Sequence, residues 1–295
     1  MNPEFGNYNF ADVNFYTSAT VTAAPTLNWE QDDVGYLYDH GYKNLLYSTG
    51  ADDDTTALTI EVDLGEDKYL TMIKALRTNA KTLLIEIKPD GGAYSTLQAT
   101  TDNASDVITW YGNTAVTNTT YLTTEDGDYI NTEAGDRIIV EDTQARYVKF
   151  TFTETILADR EKYIGELYIG QQAMIIDEGK VINYNRKGTD DKGGVIRNYV
   201  GLPKNVRVRN NYSASMQVQR PSVNEMTFLR DAAEDGTVYD FFPAASAFGD
   251  DIDPDLRIYE IYRVEVDPNI NKTYLGPNNP GYYTIKVAET YVVNG

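Results

Sequence analysis

Apolar and polar residues alternate with a period of two in run after run along this chain. The cleanest run spans residues 57–65, where Leu58, Ile60, Val62 and Leu64 share one face and Thr59, Glu61 and Asp63 the other. A strand buried on one face produces that pattern. Residues 145–152, Ala-Arg-Tyr-Val-Lys-Phe-Thr-Phe, alternate in the same way. Residues 163–170 repeat Tyr-Ile-Gly around Glu166-Leu167 and read as a strand that finishes a sheet. Further strands are predicted over residues 69–77, 81–88, 106–111 and 136–140, with a strong turn at Pro89-Asp90-Gly91-Gly92. Short strands separated by turn signals favour a β-sandwich over any βαβ arrangement.

The pattern continues past a linker expected near Gln171-Gln172. Strands are predicted over residues 173–176, 180–184, 206–209, 213–220, 258–266 and 282–293, with a polar turn at 187–194. Between them, residues 221–233 switch to a 3.6-residue period through Val223, Met226, Phe228-Leu229 and Ala232-Ala233. Ser222 followed by Glu225 has capping-box spacing, so one helix is expected there. Residues 1–24 are rich in Asn, Thr and aromatics without sustained periodicity, apart from a short strand at Thr20-Val21-Thr22. They read as an extended arm that orders against neighbouring subunits. The expected organisation is an arm (1–24), a β-sandwich (25–172) and a second β-rich domain with one short helix (173–295).

Composition narrows the chemistry. The 295 residues contain no cysteine, which removes disulfides, thiolate metal sites and a thiol nucleophile. One histidine, His40, leaves a Ser-His-Asp relay or a histidine-based metal cluster without partners, and it reads as a loop residue. The opening residues lack the basic and apolar runs of a secretory signal, and no stretch approaches the length needed to span a bilayer. A soluble protein is expected. Carboxylates are abundant, but abundance selects no catalytic pair, and no enzyme activity is expected. The 24 tyrosines suit half-buried strand positions and interfaces.

The net charge of −20 disfavours nucleic acid and anionic membranes as partners. It is unevenly spread. Residues 1–172 hold 28 acidic and 11 basic residues, whereas residues 180–220 hold nine basic and two acidic ones. Opposite charge on two parts of one chain invites association between copies. Arg186, Lys187, Arg197, Arg207, Arg209 and Arg220 are the candidate assembly contacts. Two acidic loops offer oxygen ligands for a structural calcium ion: Asp52-Asp53-Asp54, and residues 125–133, where Asp126, Asp128 and Asn131 are the candidate ligands. Neither follows the EF-hand pattern, and no other cofactor is expected. Trp29, Trp110 and Tyr111 are the candidates for stacking on a sugar ring; Trp110 also fits the buried face of its own strand.

Residues 25–170 resemble discoidin-like (galactose-binding-like) jelly rolls. The likeness lies in Asn44-Leu45-Leu46, in an alternating strand ending Asp63-Leu64-Gly65, and in the strand Ala145-Arg146-Tyr147-Val148-Lys149-Phe150. The layout as a whole resembles bacteriophage tail or baseplate proteins of the distal-tail kind, in which a sandwich closing on Gly165-Glu166-Leu167-Tyr168-Ile169-Gly170 leads into a second β domain. That resemblance implies a structural virion protein, located in the tail and assembled in the host cytoplasm. It also implies a ring built through residues 173–295, with other tail proteins as partners. The alternative implied by the sandwich is a non-catalytic carbohydrate-binding module of a surface or enzyme-associated protein. The two coexist if a sandwich on a tail touches host glycans.

Overall fold

The computed structural model describes residues 3–7, 9–12, 18–38, 44–112, 143–176, 180–188, 194–197, 203–206, 212–242, 262–273 and 281–289. His40, the loop at 125–133 with Asp126, Asp128 and Asn131, the strand expected at 136–140, and Arg207 and Arg209 lie outside the described residues. The chain forms two units. One is Gly6–Ala173; the other joins Met1–Phe5 to Met174–Gly295. In sequence, then, the first unit is an insertion into the second. Strand β1 (Glu4–Gly6) stands at the point of entry.

The inserted unit is a β-sandwich. Its strands are β2 (Thr20–Ala24), β3 (Leu46–Tyr47), β4 (Leu58–Tyr69), β5 (Met72–Leu76) and β6 (Leu83–Lys88), then β7 (Ser95–Thr100), β8 (Val107–Tyr111), β9 (Gln144–Phe152), β10 (Tyr163–Ile164) and β11 (Glu166–Gly170). A five-stranded sheet runs β2-β4-β9-β6-β7 and a three-stranded sheet runs β11-β5-β8, every pair antiparallel. Five strands facing three in this order is the discoidin-like jelly roll. In β4 and β9 the register sets Ile60 opposite Phe150 and Val62 opposite Val148. Directly opposed side chains share a face, so the two alternating runs fuse into one apolar surface. Leu58, Ile60, Val62, Val148, Phe150, Leu83 and Ile85 are all fully buried, in one cluster with Ile73, Ala75, Leu167 and Ile169 of the other sheet.

Two departures from simple alternation stand out. Every residue of β5 and of β11 is buried, so these strands are covered on both faces. Part of the reason lies in the opening residues. Asn9 donates its side-chain amide to the Leu167 carbonyl (2.8 Å) and accepts the Ile169 N–H (3.0 Å), while the Phe10 N–H donates to the Ile169 carbonyl (2.8 Å). Residues 9 and 10 of the stretch expected to order against neighbouring subunits are therefore bonded to β11 of the same chain, and the short strand expected at Thr20-Val21-Thr22 forms as β2, paired with β4 (Ala23 opposite Ile60). Asparagine side chains supply this bonding, and periodicity does not report them.

The second departure is Gly165, which splits the predicted strand 163–170 into β10 and β11. Its N–H donates to the carbonyls of Leu76 and Arg77 (3.0 and 3.1 Å), and a Cβ there would come within 3.0 Å of the Arg77 Cβ. Close backbone approach requires the glycine. On either side of it the chain serves different partners, β3 before and β5 after.

The second unit contains β12 (Gln172–Ile175), β13 (Val181–Gly188), β14 (Gly194–Arg197), β15 (Pro203–Val206) and β16 (Tyr212–Gln219), then helix α1 (Val223–Asp235), β17 (Val238–Phe242), β18 (Tyr262–Val266), β19 (Asn271–Thr273) and β20 (Tyr282–Glu289). Its sheet runs β12-β1-β17-β18-β20-β16-β13, with β19 against β20, and β14 pairs β15 as a separate ribbon. Met216 opposite Ile285 and Ala214 opposite Val287 give the buried face.

Helix α1 begins as the sequence predicts. The Glu225 N–H donates to the Ser222 hydroxyl (3.2 Å) and the Ser222 N–H donates back to the Glu225 carboxylate. Gly236, at φ +61°, ends it in the left-handed conformation. The Glu225 carboxylate also accepts from the Lys180 ammonium (2.9 Å). Burial alone raises that carboxyl, but the Ser222 N–H and Lys180 outweigh it and hold it below the ordinary glutamate value. Ser222→Ala should cost about 1 kcal/mol in denaturant unfolding. Because the folded pKa is the lower one, the stabilisation by Glu225 is complete above the ordinary glutamate pKa. It is lost as pH falls through the folded value.

Candidate functional site

Connections in an antiparallel sandwich alternate between its two ends. The loops β3–β4, β5–β6, β7–β8 and β9–β10 therefore gather at one end, and they interlock there. The Thr78 N–H donates to the Asp106 carbonyl (2.9 Å), and the Lys81 N–H donates to the Glu154 carbonyl (2.8 Å). Asp54 accepts the Thr155 N–H (3.0 Å) and hydroxyl (3.1 Å), and chiefly that N–H lowers its carboxyl pKa. Asn79 pins the β9–β10 loop. Its amide donates to the Glu161 carbonyl (2.7 Å), its side-chain oxygen accepts the Tyr163 N–H (2.9 Å), and its carbonyl accepts the Ile156 N–H (2.8 Å).

Lys162 holds the same loops from beneath. It is 1% exposed and donates its ammonium to the carbonyls of Ala51 (2.9 Å) and Asp53 (2.6 Å). Burial pushes its pKa down, against the pull of the Asp53 and Asp54 charges. Asp53 turns its carboxylate onto the N–H and hydroxyl groups of Thr55 and Thr56, which hold it well below the ordinary aspartate value. Two of the three carboxylates of the first candidate calcium loop are thus engaged with Thr partners. Among the described residues no group of three or more His, Cys, Asp or Glu is placed to hold a metal ion.

These loops enclose a cleft of about 530 Å³. One wall is aromatic. The β3–β10 register sets Tyr47 opposite Tyr163, their rings 5.9 Å apart at 56°, while the neighbouring Leu46 and Ile164 are fully buried. Tyr47 is 36% exposed and Leu157, on the same cleft, 69% exposed. The polar wall carries Asp52, Asp106, Asp159, Arg160 and Glu161, with Asn79 between. Partial burial, followed by the Asp52 and Glu30 charges, raises the Glu161 carboxyl pKa. Burial, followed by Asp106 and Tyr47, raises the Tyr163 phenol.

The residues proposed from sequence for sugar stacking are not in this cleft. Trp29 is 2% exposed, edge-on to Phe152 at 5.9 Å and 80°, and belongs to the core. It is excluded as a surface contact by its burial. Trp110 is half-buried and packs against the same core, while Tyr111 is exposed at the end of β8, with the Lys74 ammonium 5.6 Å from its ring. Of the candidate assembly residues, Arg186 and Lys187 lie on β13, opposite Ala214 and Ser213, and Arg197 lies on the separate β14–β15 ribbon. Arg220 is exposed at the end of β16, at φ +50°. Missing from the sequence reading were Tyr47, Asn79, Leu157 and Tyr163. No local signal marks the two tyrosines, because the strands that carry them are two residues long and too short to show a period.

No protein-family model matches the sequence, and no curated protein matches it. Among solved structures the chain is similar to CpGH89CBM32-6 of Clostridium perfringens, at 15% identity over 56% of this chain and 99% of that one, with a TM-score of 0.37. It is also similar to the family 32 carbohydrate-binding module of C. perfringens NanJ, solved with galactose (13% identity, 57% and 98% coverage, TM-score 0.37). A third is chitosan-binding module 1 of a chitosanase/glucanase from Paenibacillus sp. IK-5 (15% identity, 55% and 98% coverage, TM-score 0.36). At these scores the assignment of the fold rests on the strand order itself. Nothing in these likenesses points to a tail or baseplate protein.

Proposed function

We propose that the sandwich, Gly6–Ala173, is a non-catalytic glycan-binding module, and that the cleft at its loop end holds the sugar. The observation that carries this reading is the meeting of the paired Tyr47 and Tyr163 rings and Leu157 with carboxylates and a guanidinium in one concave site. A pyranose presents an apolar C–H face and a rim of hydroxyls. A tyrosine ring takes the first, and Asp and Arg side chains take the second as acceptors and donors. The volume suits a small ligand, and the interlocked loops present the site already formed, which limits the ordering cost of binding.

Screening the full chain on a glycan array, followed by calorimetry on the hits, tests the reading. Tyr163→Ala is expected to weaken binding by at least about tenfold, the loss of a stacking contact of about 1.4 kcal/mol, with the circular dichroism unchanged. Leu157→Ser should weaken it less. Undiminished affinity in both variants would remove the cleft from consideration.

A second reading is favoured by one observation: Met1–Phe5 and Met174–Gly295 form one unit that the sandwich interrupts. A frame closed by distant parts of the chain around an inserted module suits an assembly protein. A tail or baseplate component of a phage virion, forming a homo-oligomeric ring through Arg186, Lys187, Arg197 and Arg220, is the form this reading takes. Light scattering of the full chain distinguishes it: a ring-sized species supports assembly, and a monomer at high concentration removes it.

A further inference from the structure

Resting on the glycan-binding reading, we infer that the sugar held by the Tyr47–Tyr163 cleft carries a protonated amine: an amino sugar that is not acetylated, or a short oligomer of one. The cleft has both features that a cationic sugar uses. The first is charge. Asp52, Asp106, Asp159 and Glu161 line it beside the guanidinium of Arg160, and the Arg77 charge also acts on Tyr163, so the lining keeps an excess of negative charge. A neutral sugar uses these carboxylates as hydroxyl acceptors but gains nothing from their net charge, and a uronic or sialic acid is repelled by it. Charges at such a partly enclosed surface act through a dielectric well below that of water, so the excess of negative charge selects by sign.

The second feature is aromatic. The Tyr47 and Tyr163 rings stand beside those carboxylates, and ring faces attract ammonium groups as well as C–H groups. The two features meet at Tyr163, whose backbone is fixed by Asn79 and whose phenol feels Asp106. Burial first, and neighbouring carboxylates after it, make the Glu161 and Tyr163 groups harder to ionise than usual. An incoming ammonium offsets the carboxylate share of that effect.

Titration calorimetry of the full chain with the tetramer of glucosamine and the tetramer of N-acetylglucosamine decides the matter. The pair differs in the amine alone. At mildly acidic pH the amine form is expected to bind at least about tenfold more tightly, a difference of about 1.4 kcal/mol. Its affinity should fall with added salt, and fall again when pH is raised past the amine's own pKa. The double variant Asp52→Asn, Asp106→Asn keeps the shape of both side chains and should abolish the preference. Equal affinity for the two tetramers, or tighter binding of the acetylated one, overturns the amine inference while the glycan-binding reading stands. Binding of neither overturns the inference, and the array then decides the reading separately.

Discussion

Replacing Phe5 by alanine is expected to destabilise the unit that contains residues 174–295 by about 3–5 kcal/mol, the usual cost of removing a buried aromatic ring. Phe5 is fully buried although it is the fifth residue of the chain. Its ring lies 4.9 Å from Phe241, 5.5 Å from Phe228 and 6.2 Å from Tyr239, the last edge-on at 86°. Phe228 belongs to α1 and the other two to β17, so one side chain ties the opening strand to both the helix and the sheet of its unit. Strand β1 also sits inside that sheet, between β12 and β17. Deleting residues 1–5 should therefore act more strongly than Phe5→Ala, since it opens the sheet as well as the core. Differential scanning calorimetry checks both: the transition of this unit should move down and that of the sandwich should stay. A Phe5→Ala protein with unchanged melting would show that β1 is dispensable.

Trp29→Ala is expected to lower the stability of the sandwich by a similar amount, about 3–5 kcal/mol. The ring is enclosed and edge-on to Phe152, and its backbone bridges to Ser48 at the start of the loop that leads to the cleft. Its indole N–H finds no acceptor among the described residues. Trp29→Phe should consequently cost much less, because it removes an unsatisfied donor and keeps a ring in the core. Urea unfolding followed by far-UV circular dichroism measures the two. Any ligand binding lost in Trp29→Ala should return under conditions that refold the variant. A Trp29→Ala protein that keeps full stability but loses binding would put Trp29 at the surface.

The sandwich was legible because its strands are buried on one face. Leu58, Ile60, Val62 and Leu64 announce a face by themselves, and so do Val148, Phe150 and Phe152. The helix was legible because Ser222, Glu225 and a 3.6-residue period are all local signals. What escaped was non-local. Asn9 bonds to β11 through its side chain, which leaves no trace in hydropathy, so the opening residues read as an arm. The break at Gly165 between β10 and β11 depends on Arg77, a residue far away in the chain. The cleft has the same origin. Tyr47 and Tyr163 lie on two-residue strands too short to show a period, and only their pairing brings the rings together. Asn79 and Leu157 stand in turns that read as solvated. Trp29 drew attention as a large aromatic near a probable sheet edge, and only three-dimensional packing reveals that it is enclosed.

The claim on which the account depends is that the sandwich binds sugar between the β3–β4, β5–β6, β7–β8 and β9–β10 loops. Amide chemical-shift mapping during titration with the tightest glycan from the array tests it directly. The account predicts perturbations centred on Tyr47, Asn79, Leu157 and Tyr163, saturating with the calorimetric affinity. Perturbations centred on Trp110 and Tyr111, or none with any glycan, would contradict it.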